Sequence, residues 1–503
     1  MQENGKKIAV NTIMLYIRMV VVMLVSLYTS RMVINALGVE DYGLYMAIGG
    51  FVALFAVISN SLSAAISRYI TFELGKKEGR NVSGVFSASL FLQILIALLL
   101  LIVFGLFGLD FMEGYMRIPE YRLVATRYVF IFSLLTFSVS LLNVPYISMI
   151  IAYERMTAFA YIGVVEAIGR LAVAFFISYQ SADKLVMLTF LLFLFSIVIL
   201  LFYIGYCKIQ FRDCKFVTNF RLSLIKEIFG FTGWNFVGAA SGVLREQGVN
   251  LLLNIYSGLV VNAARGIAVQ VSSAVSQFAN SIITAINPQI TKLYASGDKG
   301  AAVNLVLKGA RFSALLLLYV VIPLMLETVW ILETWIKVVP DYTVVFVRLV
   351  LINVAIDSLS STMITLILAT GTIRNYQIIV GGCLILNFPL SFFLLRNGVT
   401  PASVYWVSIA ISVLCLNLRM LMLRKTLEFP VMRYVKEVLC RVFLVLAVSI
   451  FLPIYVSTLL QPSFMCMLLV FVSTLFSVSI ATFAFGCEKE ERIYVLKKFR
   501  LSN

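Results

Sequence analysis

The chain contains no histidine among its 503 residues. Imidazole is the usual general base near neutral pH, so histidine-dependent catalysis is excluded. The chain has 7 cysteines, and none of them belongs to a Cys-x-x-Cys pair. Such spacing offers neither a zinc site of the ordinary kind nor a disulfide framework. The sequence therefore predicts no metal and no cofactor.

A compact basic domain with exposed aromatic residues is also missing, although the formal charge is +16. The Lys and Arg residues are spread instead over the connections between apolar runs. In a membrane protein such an excess comes from cytoplasmic anchoring charges, so nucleic-acid binding is not predicted. No small-residue cleavage site follows the first apolar run, residues 8–28. This run is therefore expected to remain as the first membrane helix.

Apolar residues make up 61% of the chain, whereas a soluble domain contains about half. Many apolar runs reach about 20 residues, the length with which a helix crosses a bilayer. The pattern predicts an all-α integral membrane protein with about fourteen transmembrane helices. The predicted helices 1 to 14 lie at residues 8–28, 43–67, 83–107, 123–148, 157–178, 185–207, 228–254, 258–287, 307–328, 343–369, 375–395, 402–423, 438–459 and 464–486.

The charges of the connections predict the orientation. With the N-terminus inside, the inner segments hold roughly 26 Lys and Arg and the outer loops about 6, so both termini are predicted to be cytoplasmic. Two basic linkers follow helices 6 and 12. They divide the chain into an N-lobe of residues 1–222, a C-lobe of residues 223–427, and a last part, residues 428–503, with helices 13 and 14 and a cytoplasmic tail.

One short stretch occurs twice, as NSLSAAISRYIT at residues 60–71 and as NSIITAINPQIT at residues 280–291. Half of the positions match, and each copy ends an apolar run. Six predicted helices separate the copies, so two parallel six-helix lobes are expected around an axis along the membrane normal. The interface of the lobes is then the expected substrate path. Asn287-Pro288 is expected to end or kink helix 8.

Ionisable side chains inside the predicted spans are candidate functional groups, because a charge at the bilayer centre costs about 2.5–3.5 kcal/mol. Arg18 lies about 15 Å along helix 1. It has no acidic residue within a turn, so it needs a partner elsewhere or a wet cavity. Glu166 and Arg170 share one face of helix 5 in the order that favours an ion pair. Arg245 and Glu246 on helix 7 diverge by about 100° and need partners on other helices or water.

Three further groups of polar residues fall inside the spans. Arg265 lies about two turns into helix 8, and Asp357 lies near the middle of helix 10. Arg127 and Arg348 are nearer the outer ends of their helices, where snorkelling to the headgroups is an open alternative. A polar face of helix 8 indicates either cavity lining or hydrogen bonds between helices. This face consists of Gln270, Ser273, Gln277 and Asn280.

The central arginines favour an anionic ligand, because the planar guanidinium matches the oxygens of a phosphate. A phosphate-bearing or acidic-sugar substrate is therefore predicted. The predicted substrate-binding residues are Arg18, Arg170, Arg245, Arg265, Gln270 and Gln277. The predicted ion-coupling or counter-ion residues are Glu166, Glu246 and Asp357.

Residues 11–45 resemble the start of the O-antigen and capsular polysaccharide flippases, above all in LGVEDYGLY at residues 37–45. NPQITKLYASGD at residues 287–298 is similar to the second lobe of that family. The family is a branch of the multidrug/oligosaccharidyl-lipid/polysaccharide exporter superfamily. Arg18 matches the kind of position, on helix 1 and facing the cavity, at which these flippases hold arginines.

The resemblance implies a flippase of the bacterial inner membrane. It would move a polyprenyl-pyrophosphate-linked oligosaccharide to the outer leaflet by alternating access, for surface polysaccharide biosynthesis. The implied cavity between the lobes is cationic, and the lipid tail stays in the bilayer. The partners are the lipid-linked oligosaccharide, membrane lipid, H⁺ or Na⁺, and other polysaccharide-assembly proteins.

Two alternatives share the predicted helices. A peptidoglycan lipid II flippase or a cation-coupled drug exporter has the same plan, although an exporter of organic cations should have an acidic cavity. A membrane enzyme such as a polysaccharide polymerase usually has a large outer loop. The largest outer loops here hold only about fifteen residues, given the positions of the spans. The sequence therefore favours a transporter over an enzyme.

Overall fold

A computed structural model describes residues 2–55, 62, 66–67, 69–70, 73–74, 81–153, 155–217, 240–370 and 373–493. Every regular element in these ranges is helical, and they contain no strand. The principal helices are α1 (Gln2–Leu37), α2 (Val39–Ala53), α3 (Val82–Tyr115), α4 (Leu123–Ala152), α5 (Met156–Ser178), α6 (Lys184–Gln210), α7 (Val249–Ser257), α8 (Leu259–Ala295), α9 (Lys299–Leu326), α10 (Thr343–Ala369), α11 (Arg374–Arg396), α12 (Ser403–Leu427), α13 (Val431–Leu459) and α14 (Phe464–Gly486).

The helices confirm the all-α membrane class. Among the described residues, 12 helices are long and apolar enough to cross a membrane. Helices α2 and α7 are not among them, and residues 56–61 after α2 and 218–239 before α7 lie outside the described ranges. The predicted total of fourteen therefore stays a prediction. These 12 helices nevertheless establish a multi-pass membrane protein. Helices suit this role because the bilayer core offers no water to the backbone, so each helix satisfies its own polar groups.

The structure describes the second copy of the repeated stretch but little of the first. Most of residues 60–71 lie outside the described part of the chain. The second copy lies within α8, which continues to Ala295. Of the two predicted alternatives, the one in which Asn287-Pro288 ends this helix is therefore wrong, and the one in which it kinks the helix stays a prediction. A neighbouring helix supports the helical turn at Asn287, because the Thr365 hydroxyl of α10 donates to Asn287 Oδ1 over 2.7 Å. Such neighbours let membrane helices tolerate proline.

The chain forms two compact units. Unit 1 consists of residues 1–266 and 388–401, and unit 2 consists of residues 267–387 and 402–503. The division into lobes at residues 222 and 427 remains a prediction, as does their parallel arrangement.

In unit 1 small residues let the helices approach closely. A Cβ atom added to Gly43 on α2 would lie 2.0 Å from the carbonyl oxygen of Leu259, at the start of α8. One turn further along α2, the Asn250 amide of α7 donates to the Met46 carbonyl oxygen over 2.9 Å. Hydrogen bonds of this kind hold membrane helices together where burial of apolar surface does not.

Three connections meet at one end of unit 1. Arg122, before α4, forms an ion pair with Asp41 at the start of α2 and a second one, of 2.6 Å, with Asp183 before α6. Burial raises the pKa of Asp41, and the adjacent guanidinium of Arg122 opposes this rise. The connections preceding α2, α4 and α6 are all predicted to be outer loops. Their contact at one end of unit 1 is therefore consistent with the predicted alternation of inner and outer connections.

Unit 2 contains a buried ion cluster that sequence analysis missed. Arg311 on α9 is only 1% exposed. Its guanidinium contacts Glu488 Oε1 at 2.8 Å and Glu491 Oε1 at 2.6 Å. Both acids lie just after α14. We call these three residues the C-terminal anchor, because they hold the segment after α14 against α9.

Candidate functional site

An arginine without an acidic partner lies between α1 and α5 in unit 1. The Cζ atom of Arg18 is 4.3 Å from the centroid of the Phe159 ring. Its Nε atom is buried and has no hydrogen-bond partner. No carboxylate in the described ranges forms an ion pair with it. A cation–π contact offsets part of the desolvation of a guanidinium, but the orphaned donor still favours an added acceptor.

The spacing of α5 explains why Arg18 fits there. Phe159, Gly163, Glu166 and Arg170 recur at i, i+4, i+7 and i+11 and share one helix face. A Cβ atom added to Gly163 would lie 2.3 Å from Arg18 Nε, so the guanidinium occupies the space that glycine leaves. Helix α1 packs along this face. The position of Arg18 therefore depends on the absence of a side chain at residue 163.

Two of the predicted charges lie one turn and two turns further along α5. Arg170 donates to Glu166 over 2.8 Å, and the two side chains are 57% and 35% exposed. The predicted ion pair is thus present. The face of α5 that α1 packs along therefore carries this ion pair as well as the residues around Arg18. With Arg18 the three side chains comprise two guanidinium groups and one carboxylate, so their formal charge is positive.

A second cationic position lies near the α7–α8 turn. Arg265 on α8 is 6% exposed. Its Nη2 atom donates to the Glu246 carbonyl oxygen over 2.5 Å and lies 3.6 Å from the Glu246 carboxylate. Glu246 belongs to a π-helical turn, Leu244–Gly248, and such turns free carbonyl groups and are frequent at functional sites. Of the two predicted alternatives for Glu246, a partner on another helix or water, the structure shows the first. Arg245 is half-buried in the same turn.

Truncating this pair should have unequal effects. We expect Arg265→Ala to destabilise the protein by about 1–3 kcal/mol, because a buried carbonyl and a carboxylate lose their donor. Glu246→Ala should cost only about 0–1 kcal/mol, since that carboxylate is 57% exposed. Thermal unfolding in detergent measures both variants. Equal losses of stability would contradict the assignment of Arg265 as the buried partner.

Three predicted residues lie in unit 2. Gln270 and Gln277 are half-buried on α8, and Ser273 between them is exposed. Asp357 Oδ2 accepts from the Asn353 amide over 3.3 Å on the same helix, α10. The side chain of Asn280 is outside the described part. The other six predicted residues lie in unit 1, and a single site formed by all nine stays a prediction.

The outer arginines have protein partners. Arg127 forms a two-pronged ion pair with Glu113 on α3, with Nε 2.6 Å and Nη2 3.0 Å from the carboxylate oxygens. Arg348 Nε lies 3.4 Å from the Thr328 hydroxyl. These contacts satisfy the guanidinium groups within the protein, in addition to any contact with headgroups.

Sequence analysis missed Arg419 on α12. It is 6% exposed. It donates to the Ser360 hydroxyl over 2.6 Å and to the Tyr376 hydroxyl over 3.3 Å. In the described ranges it has no carboxylate partner. The signal was available, because Arg419 lies inside a predicted span. Arg419 lies close to the basic linker after helix 12, so its charge is hard to tell in the sequence from the anchoring charges of that linker.

The role of Gly163 can be tested directly. We expect Gly163→Ala to lower transport by between about tenfold and hundredfold, because a displacement of about 1 Å in a positioned group has effects of this order. The amount of folded protein should not fall, since the flexible Arg18 side chain can move away. Gly105→Ala on α3 is the matched control, because a Cβ atom there meets nothing within 4 Å. Equal transport in the two variants would show that the position of Arg18 is unimportant.

Three comparisons with known proteins bear on this fold and site. Residues 5–294 match a family described as polysaccharide biosynthesis protein. The uncharacterized membrane protein EpsK of Bacillus subtilis is 21% identical over 299 residues, which is 58% of this chain and 58% of that protein. The chain thus aligns with little more than half the length of this curated relative.

Solved structures of transporters have the same fold. The lipid II flippase MurJ in an inward closed conformation has a TM-score of 0.73 at 13% identity, with 95% of this chain and 98% of that chain covered. An inward-facing multidrug transporter of the MATE family gives 0.67 at 12% identity, with 81% and 94% covered. A transporter of the same superfamily from Pyrococcus furiosus gives 0.61 at 13% identity, with 83% and 95% covered. At such identities these likenesses concern the fold alone.

Proposed function

Because the chain belongs to the polysaccharide biosynthesis protein family, whose fold here is that of membrane transporters, we propose that it flips a lipid-linked oligosaccharide. The substrate is a polyprenyl-pyrophosphate-linked oligosaccharide, which moves from the cytoplasmic to the outer leaflet of the bacterial inner membrane. Both termini lie in the cytoplasm, and transport proceeds by alternating access. The product supplies surface polysaccharide such as O-antigen or capsule.

The environment of Arg18 is the observation that carries this proposal. Arg18 is half-buried, its Nε atom is buried without a hydrogen-bond partner, and it has no acidic partner among the described residues, which is costly within a membrane protein. A pyrophosphate supplies several anionic oxygens, and the planar fork of arginine binds such oxygens strongly and directionally. The aromatic face of Phe159 holds the guanidinium in place before the substrate arrives. We therefore assign Arg18 to the pyrophosphate.

The other predicted residues take supporting roles in the proposal. Binding is shared with Arg170, Arg245, Arg265, Gln270 and Gln277. Glu166 and Glu246 each pair with an arginine, which favours the role of a counter-ion. Asp357 joins them as a candidate for coupling to H⁺ or Na⁺. Membrane lipid and other polysaccharide-assembly proteins are the remaining proposed partners.

A second candidate is the transport of peptidoglycan lipid II. The observation in its favour is the likeness of the fold to a lipid II flippase over 95% of this chain. Both substrates carry a pyrophosphate on a lipid, so Arg18 would serve either of them. Deletion of the gene separates the two, since loss of an essential peptidoglycan step is lethal and loss of an accessory polysaccharide is not.

The decisive experiment identifies the intermediate that accumulates. We expect a deletion strain to be viable, to lack surface polysaccharide, and to accumulate lipid-linked oligosaccharide in the inner leaflet. Mass spectrometry of the extracted lipids gives the sugar, and restoring the gene should clear the intermediate. Normal surface polysaccharide in the deletion strain would refute the proposal. Accumulation of single repeat units at the surface would indicate a polymerase instead.

A further inference from the structure

A cavity of about 570 Å³ lies where three segments of unit 1 meet. They are the first turn of α2, the connection between α3 and α4, and the turn between α7 and α8. All three lie in or next to predicted outer loops, so the cavity is at the predicted outer surface of the membrane. Its apolar wall includes Met116, Ile118, Leu259 and Val260. A molecule bound there would contact all three segments.

Hydrogen bonds to one buried residue of α7 hold the wall of this cavity in place. The Arg117 amide donates to Asn254 Oδ1 over 3.2 Å, and the Gly258 amide donates to the Asn254 carbonyl oxygen over 3.0 Å. Asn254 is 0% exposed. Gly258 has a φ of 87°, which favours glycine at this turn. The cavity is therefore formed by fixed segments of the backbone.

Two side chains of opposite charge line the cavity without pairing with each other. Glu40 and Arg117 are both exposed, and neither forms an ion pair with any described residue. The Tyr121 hydroxyl donates to Glu40 Oε2 over 2.9 Å. In the described ranges, Glu40 Oε1 and the Arg117 guanidinium have no hydrogen-bond partner. One cavity thus offers a charged acceptor and a charged group of donors.

The charges around the cavity distinguish between classes of ligand. Glu40 adjoins the ion cluster of Asp41, Arg122 and Asp183, so three carboxylates share one guanidinium at this end. This end favours a cation, whereas Arg117 favours an anion. A ligand with charges of both signs satisfies both ends. A purely anionic ligand would be repelled by the carboxylates.

Exposed tyrosines mark the depth of the cavity in the membrane. Tyr115 directly precedes Met116 of the wall, and Tyr121 bonds to Glu40. These two side chains are 65% and 73% exposed. Tyrosine is enriched at the level of the lipid headgroups, where its ring is in contact with lipid and its hydroxyl is in contact with water. Zwitterionic phospholipid headgroups lie at the same level.

We propose that the cavity binds the headgroup of phosphatidylethanolamine. The ammonium group donates to Glu40 Oε1, and the phosphate accepts from the Arg117 guanidinium. The start of an acyl chain lies against the apolar wall. The bound lipid thereby joins the first turn of α2, the α3–α4 connection and the α7–α8 turn.

A comparison of two lipids tests the proposal on the purified full-length protein. Native mass spectrometry from detergent micelles measures the affinity of the tightest-bound lipid. Phosphatidylcholine carries the same phosphate, but its trimethylated nitrogen has no N–H to donate. We expect phosphatidylethanolamine to bind at least about tenfold more tightly, the effect of one charge-assisted hydrogen bond. Equal affinities would overturn the proposal, as would tighter binding of phosphatidylglycerol, which has no cationic group.

Matched variants assign the two ends of the cavity. Glu40→Gln should abolish the preference for phosphatidylethanolamine, whereas Arg117→Gln should weaken the binding of both lipids by the same factor. Both side chains are exposed, so both variants should fold. Glu333→Gln, at an exposed position of unit 2, is the control and should bind both lipids as the unaltered protein does.

Two further outcomes would contradict the assignment. One is a preference for phosphatidylethanolamine that persists in Glu40→Gln. The other is saturation of the site by soluble glycerophosphoethanolamine, which would indicate a soluble ligand instead of a lipid. None of these measurements depends on the transported substrate.

Discussion

Replacing Arg18 with alanine is expected to abolish surface polysaccharide while the amount of folded protein in the membrane stays unchanged. The guanidinium has no acidic partner among the described residues, so its removal leaves no carboxylate unpaired. Its loss instead removes the proposed charge-assisted contact with the pyrophosphate. Such contacts contribute about 1.5–3 kcal/mol, which corresponds to roughly ten- to hundredfold in affinity. With the affinity lowered by this factor, we expect too little substrate to occupy the binding site.

Surface polysaccharide in a deletion strain carrying each variant measures this effect, with immunoblots of membranes for protein level. Arg18→Lys keeps the charge but not the planar fork, so we expect partial activity. Arg127→Ala is the control, because that arginine is 55% exposed and pairs with Glu113. It should transport normally. Intact polysaccharide with Arg18→Ala would remove Arg18 from the site.

Replacing Arg311 with alanine should have the second large effect, on stability rather than transport. The substitution removes the cation of the C-terminal anchor and leaves two carboxylates beside each other. Removing one partner of a buried ion pair costs about 3–5 kcal/mol. We expect a sharp loss of folded protein and release of the segment after α14. Removing Glu488 and Glu491 together with Arg311 should restore part of the stability, because the two carboxylates no longer face each other; Lys308 and Arg441, which are more exposed, then lose their longer contacts of 3.9 Å.

A control and a pH profile sharpen this test. Arg433→Ala breaks an ion pair with Glu437 on the surface, where the arginine is 44% exposed, and should change stability by at most about 1 kcal/mol. Burial acts to raise the pKa of Glu488, but Arg311, with smaller contributions from Arg441 and Lys308, outweighs burial, and the net pKa lies below the ordinary value of 4.5. The contribution is therefore complete above pH 4.5 and is lost as the pH falls through the lowered value. Retention of this acid-sensitive stability in Arg311→Ala would contradict the anchor.

Much of the fold could be predicted because helix length and apolar composition are local properties. Helix 10, for instance, was predicted at residues 343–369, and α10 spans Thr343–Ala369. In a bilayer an apolar run of this length has to satisfy its own backbone, which leaves the helix as the only simple solution. The ion pair of Glu166 and Arg170 could be predicted equally well, since it depends only on the periodicity of one helix.

Partners on different helices could not be predicted in this way. Which residue faces Arg18 depends on the rotation and packing of α5, and hydropathy contains no information on either. The same holds for the contact of Arg265 with Glu246 and for that of Arg419 with two hydroxyl groups. The alternative that helix 8 ends at Asn287-Pro288, rather than kinks there, was wrong for a related reason, since a hydrogen bond from α10 supports the helical turn at Asn287.

The sequence by itself therefore determined the membrane class, the approximate positions of the helices and the unusual charges within them. These follow from the free energy of placing each side chain in an apolar medium, which is a property of the residue and its neighbours in the chain. Only the tertiary structure decided which of those charges are neutralised. Arg170 and Arg265 have acidic partners, and Arg18 rests on an aromatic ring in a space left by a glycine. That difference depends on distances of a few ångströms between separate helices, because electrostatic compensation and steric fit both vary steeply over that range.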